Sequence, residues 1–355
     1  MEGFALELED ELMNFSDVSY KSFVKSESEI ITLFYDKFAD IPLLSRMDAV
    51  AETFIDEIET LLNRDLPEEE RIPLIEKFRK MYETMDFYVL YNRFLKKEGY
   101  QTLPRRPLEK RKLRYEDVYP VLYLKYRLSR QAERSNIKHL VIDEMQDYSR
   151  LQYLIIRRMF SCKMTILGDR AQTMADQQQD VLQFLPGIFG KDLRRIEMRK
   201  SYRNTVEIAS YAANLIGVTD LELFERHGMP VLERDVTDLE AALREAVDTL
   251  FPEEKTYETA AVIVPDEKTA ERAYLILREI LVEKDFDCEK RLSWLNRDSS
   301  SFKKGLTVTT FYLAKGLEFD QVFSIFPKDE KREMMMQAQY IAATRALHEL
   351  RVYHI

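Results

Sequence analysis

Residues 138–174, KHLVIDEMQDYSRLQYLIIRRMFSCKMTILGDRAQTM, constrain this chain more than any other stretch. Two apolar runs, 139–142 and 164–167, lead straight into acid, Asp143-Glu144 after the first and Gly168-Asp169 after the second. Such runs read as buried parallel strands, and ligands of open α/β sheets gather just beyond the carboxyl ends of the strands. A carboxylate placed there can hold Mg²⁺ beside a phosphate and polarise an attacking water. Gln146 and Gln172 follow where an uncharged amide can sense a phosphate oxygen or orient that water. The same acids could merely cap the next helix. Repetition of the strand–acid–glutamine unit favours the chemical reading.

The flanking sequence supplies a fold for that stretch. Residues 1–100 read as helices. Residues 48–63 set Val50, Phe54, Ile58, Leu61 and Leu62 on one face, and a second helix over about 72–97 carries Phe78, Tyr82, Phe87, Tyr88, Tyr91 and Phe94 as a core stripe. Between them, Leu66-Pro67 and three glutamates mark a break and a helix start. Residues 101–115 hold the densest basic cluster, interrupted by Pro104 and Pro107, and lead into a helix over 115–128. That loop reads as a solvated linker or a phosphate contact. Downstream, strands are expected at 193–198, 260–264, 306–311, 320–326 and 350–354. Helices are expected at 205–217, 237–250, 266–282 and 333–347, with 218–258 otherwise a connector. Alternation of this kind predicts a parallel α/β layer.

Composition narrows the class. A chain of 355 residues can hold two ordinary cores, and no apolar run approaches the ~18 residues of a membrane span. The amino terminus is acidic and lacks the basic start of a signal peptide. Cys162 and Cys288 stand far apart without a histidine cluster, which predicts reduced thiols in a cytoplasmic protein and no cysteine metal site. The net charge of −10 is uneven, with 19 acidic and 5 basic side chains in residues 1–70. Contacts to a polyanion are therefore expected after residue 70.

Five segments carry a family resemblance. Asp143-Glu144-Met145-Gln146-Asp147 resembles the DExQD motif of superfamily 1 helicases of the UvrD/Rep kind, and Gly168-Asp169-Arg170-Ala171-Gln172 resembles their GDxxQ motif. Lys200-Ser201-Tyr202-Arg203-Asn204 is similar to the fourth motif. Residues 309–320, TTFYLAKGLEFD, are similar to the fifth, and residues 340–346, YIAATRA, to the sixth. The resemblance implies RecA-like domains, ATP and Mg²⁺. It implies Asp143 on the metal, Glu144 activating water, and Gln172, Arg203 and Arg345 reading the γ-phosphate. Gln146, Gly316, Tyr202 and Glu318 would contact the nucleotide, Tyr202 by stacking on adenine and Glu318 near the ribose. Thr310 and Tyr312 would meet nucleic acid. A positioned arginine at a γ-phosphate is worth ~10³–10⁵ in rate.

The wording lies nearest to HelD-like proteins, which use ATP to clear bacterial RNA polymerase. This implies a helical arm-like segment over 1–110, the C-terminal part of a first RecA-like domain over 111–192, and a second over 193–355. RNA polymerase or DNA is the implied partner, with no membrane. Three departures temper the picture. GxxxxGK[ST], the phosphate-cradling motif of such ATPases, occurs nowhere in the chain, so a cradle is expected upstream or from another chain and turnover by this chain alone is not. Thr173-Met174-Ala175-Asp176 follows Gln172 where unwinding motors carry a base-stacking aromatic, and Tyr312 replaces their histidine. Two rivals stand beside this reading, a non-catalytic polymerase-binding module, which the missing cradle favours, and a single-strand DNA translocase, which the missing aromatic counts against.

Overall fold

Helices come first because their apolar positions recur at helical spacing and pack on one another. In the computed structural model, α1 (Glu2–Glu11), α2 (Glu27–Thr32), α3 (Arg46–Leu62), α4 (Glu68–Arg79), α5 (Phe87–Lys97) and α6 (Tyr115–Leu128) surround one core containing Leu8, Phe34, Ile55, Phe78 and Leu124. The residues described are 1–130, 136–169, 181–198, 200–218, 222–254, 256–284, 287–297, 299, 304–328 and 333–355. The expected stripe on α3 is inward except for Leu61, which is 71% exposed, and Asn63 ends the helix in the left-handed region at φ 53°.

Two expectations fail here. The single helix over 72–97 is two, because Asp86 starts α5 afresh, its Oδ1 accepting the Tyr88 N–H at 2.9 Å. The aromatic stripe nonetheless enters the core, with Phe78, Tyr82, Tyr88 and Tyr91 buried. A hairpin, β1 (Val18–Tyr20) and β2 (Phe23–Lys25), also interrupts the helices. Three-residue strands are too short to print a period.

Beyond them, β3 (His139–Ile142) pairs in parallel with β4 (Lys163–Ile166), His139 opposite Lys163 and Ile142 opposite Ile166. Helices α7 (Arg150–Met159) and α8 (Val181–Phe189) cover the pair through Tyr153, Val181 and Leu185. The sequence suggested fully buried strands. Only Ile142 is buried and Val141 is 60% exposed, because among the described residues each strand has only the other as neighbour.

The C-terminal elements are β5 (Lys200–Ser201), α9 (Val206–Leu215), β6 (Glu222–Leu223), β7 (Leu232–Asp235), α10 (Leu239–Asp248), β8 (Thr259–Val264), α11 (Glu267–Glu283), α12 (Cys288–Arg291), β9 (Leu292–Trp294), β10 (Gly305–Thr310), β11 (Phe319–Phe326), α13 (Glu333–Ala343) and β12 (Ala346–His354). Six strands form one parallel sheet in the order β7-β12-β11-β8-β10-β9. On β8, Ala260, Val262 and Val264 face a core shared with α10 and α11, while Ala261 and Ile263 face one shared with α9 and α13. Both faces are covered, so the strand reads as an unbroken apolar run. This is the expected α/β, RecA-like architecture with its helical N-terminal region.

The expected strand at 193–198 is absent. Ile196 and Met198 are 74% and 88% exposed, and pairing begins instead at β5, against β6 in the supposed connector. The chain divides into two compact units. One holds the residues to Leu167 together with Val181–Leu193, and the other holds Gly168, Asp169 and the described residues from Arg194 onward. Among the described residues no helix is long and apolar enough to cross a membrane.

Candidate nucleotide site

In the first unit the acidic pair lies just past β3. Met145 N–H donates to Leu167 O and Leu167 N–H to Ile142 O, both at 2.8 Å, so the turn is laced to both strands. The turn forces Glu144 to φ 51°, a left-handed conformation costing a non-glycine residue about 1–2 kcal/mol. Local bonds offset that cost. Glu144 N–H donates to Asp143 Oδ1 at 2.8 Å, and buried Gln146 donates from Nε2 to Glu144 Oε2 at 2.5 Å. Fully buried Tyr153 donates its hydroxyl to Met145 O at 3.0 Å.

The capping alternative for the acids is not what the fold uses. Helix α7 is capped by Ser149, in a reciprocal box with Gln152. Asp143 therefore remains an exposed carboxylate at a strand end. Among the described residues no group of three or more His, Cys, Asp or Glu side chains could cage a metal. Mg²⁺ needs no such cage, since it keeps waters and is commonly held by one or two carboxylates plus substrate phosphates. Asp143 fits that use.

In the second unit, three motifs distant in sequence come together. Arg203 Nε pairs with Glu318 Oε1 at 2.6 Å, both side chains being roughly half exposed. Asn204, buried beside them, donates from Nδ2 to Ala346 O at 2.6 Å and Thr344 O at 3.2 Å. Between the residues that supply those two accepting carbonyls sits Arg345, 1% exposed, whose Nε, Nη2 and Nη1 donate to Ile341 O, Thr344 Oγ1 and Leu317 O at 3.2, 3.1 and 3.4 Å. Two backbone carbonyls and the Thr344 hydroxyl thus hold its guanidinium, one of the carbonyls being that of Leu317, next to Glu318. Tyr340 donates to Asp169 Oδ2 at 3.1 Å, and burial, followed by the Asp169 charge, holds its phenol well above the ordinary range.

Tyr202 is 60% exposed and lies 5.5 Å from the Phe224 ring at 37°. The Lys200 ammonium stands 5.5 Å from the first ring and 5.9 Å from the second. Two flat faces with a cation beside them suit a planar, anionic ligand. Thr310 is fully buried at the end of β10, and its hydroxyl has no hydrogen-bond partner among the described residues. Tyr312 is half-buried, with the Arg297 guanidinium 5.9 Å from its ring centre. Gly316 takes φ 80° in the turn before Glu318. Gln172 lies outside the described residues.

Sequence reasoning missed the parts that hold this cluster. Asn204 and Tyr340 were within the quoted motifs but had no assigned task. Phe224 gave no signal, since it reaches Tyr202 through the two-residue pairing of β5 and β6.

Residues 7–174, a little under half of the chain, match the family model described as the UvrD/REP helicase N-terminal domain. The match includes the helical segment as well as the acidic motif. No curated protein matches. Among solved structures, the chain is similar to the C-terminal domain of a possible DNA helicase from Lactobacillus plantarum WCFS1, at 23% identity over 44% of this chain and 88% of that one, with a TM-score of 0.33. It is also similar to PRRSV helicase, at 17% identity over 61% of this chain and 35% of that one, with a TM-score of 0.34. For Arterivirus nonstructural protein 10, a helicase, identity is 14% over 75% of this chain and 50% of that one, with a TM-score of 0.34. The chain thus spans half or less of the two viral helicases.

Proposed function

We propose that this chain, whose residues 7–174 match the UvrD/REP helicase N-terminal domain model, is the C-terminal portion of an ATP-dependent superfamily 1 helicase-like protein. The observation that carries the reading is the meeting of three motifs in the second unit, where Arg203 pairs with Glu318 and Asn204 pins the Arg203 loop to the carbonyls on either side of Arg345. When bound, ATP supplies the phosphoryl group and Mg²⁺ neutralises its charge. In this reading Asp143 holds the metal and Glu144, oriented by Gln146, takes a proton from water. Arg203 leaves Glu318 for a phosphate oxygen, with Arg345 and Gln172 as its companions. Tyr202 stacks on the base, Gly316 and Glu318 border the nucleotide, and Thr310 and Tyr312 lie toward nucleic acid. The phosphate cradle comes from a segment this sequence does not contain. The wording of the motifs favours the HelD-like branch, whose target is RNA polymerase.

A fluorescent ATP analogue titrated against the chain with Mg²⁺ tests the assignment. Weak binding without turnover is expected, weakened a further tenfold or more by Arg203→Ala, the ~1.5–3 kcal/mol of a charged hydrogen bond. Equal affinity of the Arg203→Ala variant would overturn the site. Turnover lost in Glu144→Gln would instead mean that the chain holds a phosphate cradle of another design.

A further inference from the structure

The basic side chains between residues 105 and 114 fall into two sets. Arg111 is tied down: Nη1 meets Asp86 Oδ2 at 2.6 Å, Nε donates to Arg106 O at 3.0 Å, and the guanidinium lies 4.8 Å from the Tyr88 ring centre. Arg114 Nε donates to Asp117 Oδ2 at 2.7 Å. Arg105, Arg106, Lys110 and Lys112 are exposed, and none has an ion-pair partner among the described residues. One acid, Glu109, lies among them.

This loop is built rather than slack. Leu103 is 5% exposed, and Asn92 grips its peptide on both sides, Oδ1 accepting the Leu103 N–H at 2.7 Å and Nδ2 donating to Leu103 O at 3.3 Å. Tyr88 donates its hydroxyl to Pro104 O at 2.8 Å. Pro104 and Pro107 fix their own φ, and a 3-10 turn spans Leu108–Lys110. Four cations are therefore presented on a fixed backbone, so a ligand meets little of the usual cost of ordering a loop. A solvated linker has no need of that scaffold.

What flanks the cations identifies the ligand. Tyr100 and Tyr115, at the two ends of the loop, are 64% and 79% exposed. Cations that track phosphates, with exposed aromatics for bases to stack on, make a surface for single strands. A run of carboxylates would engage the cations but offers no bases to stack on the two rings. We propose that residues 100–115 bind single-stranded nucleic acid, with Arg105, Arg106, Lys110 and Lys112 on phosphates and Tyr100 and Tyr115 on bases. The site lies outside the nucleotide cluster, and the proposal stands without it.

The test is fluorescence anisotropy of labelled oligothymidylate with the full chain across a salt series. Reversing all four charges (R105E, R106E, K110E, K112E) is expected to weaken binding at least tenfold at low salt. The slope of log K against log salt should fall by about 3, since each cation on a single strand contributes roughly 0.7. Replacing Tyr100 and Tyr115 by alanine should weaken binding several-fold and leave the slope alone. The replaced groups are exposed, so melting curves should not move. Asn92→Ala, which keeps every charge and frees the loop, should weaken binding by an intermediate amount. Unchanged affinity and slope in the charge-reversed variant would overturn the proposal. So would a chain that ignores the oligonucleotide but binds polyglutamate through these four residues, which would mark an acidic protein partner. Loss of nucleotide binding in Arg203→Ala bears on neither result.

Discussion

Arg203 and Glu318 stand in different motifs and meet at 2.6 Å, yet an ion pair so exposed is worth at most about 1 kcal/mol to the fold. Its weakness is what lets either partner be exchanged for a ligand. Asn204 behaves oppositely, buried and bonded to two carbonyls, and is a structural pin. A comparable fastening sits one turn on. Glu207 accepts from the His227 ring at 2.9 Å and from the Gly228 N–H at 2.8 Å, and the imidazole bond above all pulls its carboxyl down to about 2. A lowered folded-state pKa gives stability that is complete above the ordinary carboxylate value and drains away as pH falls toward 2. Glu207→Gln should therefore lower stability near neutrality and flatten its acid limb, measured as urea midpoints across the pH range. At this scale the residues carrying charge were legible in the sequence, because motifs name them. For Gln146 the sequence suggests an amide that senses a phosphate oxygen or orients a water, and the structure adds that this amide donates to Glu144, which no spacing could reveal.

At the scale of elements, β10 depends on its first residue. Gly305 has φ 118°, and a Cβ there would stand 2.1 Å from Arg291 O. Gly305→Ala should cost more than the ~1–3 kcal/mol of the backbone conformation alone, since the clash adds to it; denaturant midpoints would measure the loss. Besides β3 and β4, the strands read correctly from sequence were β8, β10, β11 and β12, those of the six-stranded sheet with neighbours on both sides. The edge strands β7 and β9 were not. Leu232–Asp235 spells LERD and is largely exposed, so nothing apolar marks it. The false continuity of α4 and α5 arose because the aromatic spacing runs on across the Asp86 cap, and periodicity hides a break that preserves phase. The false strand at 193–198 has the reverse cause, since its apolar Leu193, Ile196 and Met198 find no partner strand among the described residues.

At the scale of the molecule, the helical core and the cores of the six-stranded sheet lie in separate compact units, and such chains depart from two-state behaviour. Calorimetry should resolve two transitions, with Gly305→Ala lowering only one. The order of the motifs was legible along the chain, whereas their meeting was not, because it is made by Asn204 reaching across to Thr344 and Ala346. Strand order carries a further consequence. β12 lies inside the sheet, between β7 and β11, although it comes last in sequence of the six strands. Until residues 346–354 leave the ribosome, β7 has no neighbour to pair with and β11 keeps one edge open. The sheet of the second unit therefore closes only once residues 346–354 have emerged, and nascent chains halted short of Ala346 expose the open edge of β11 to whatever chaperones attend the ribosome.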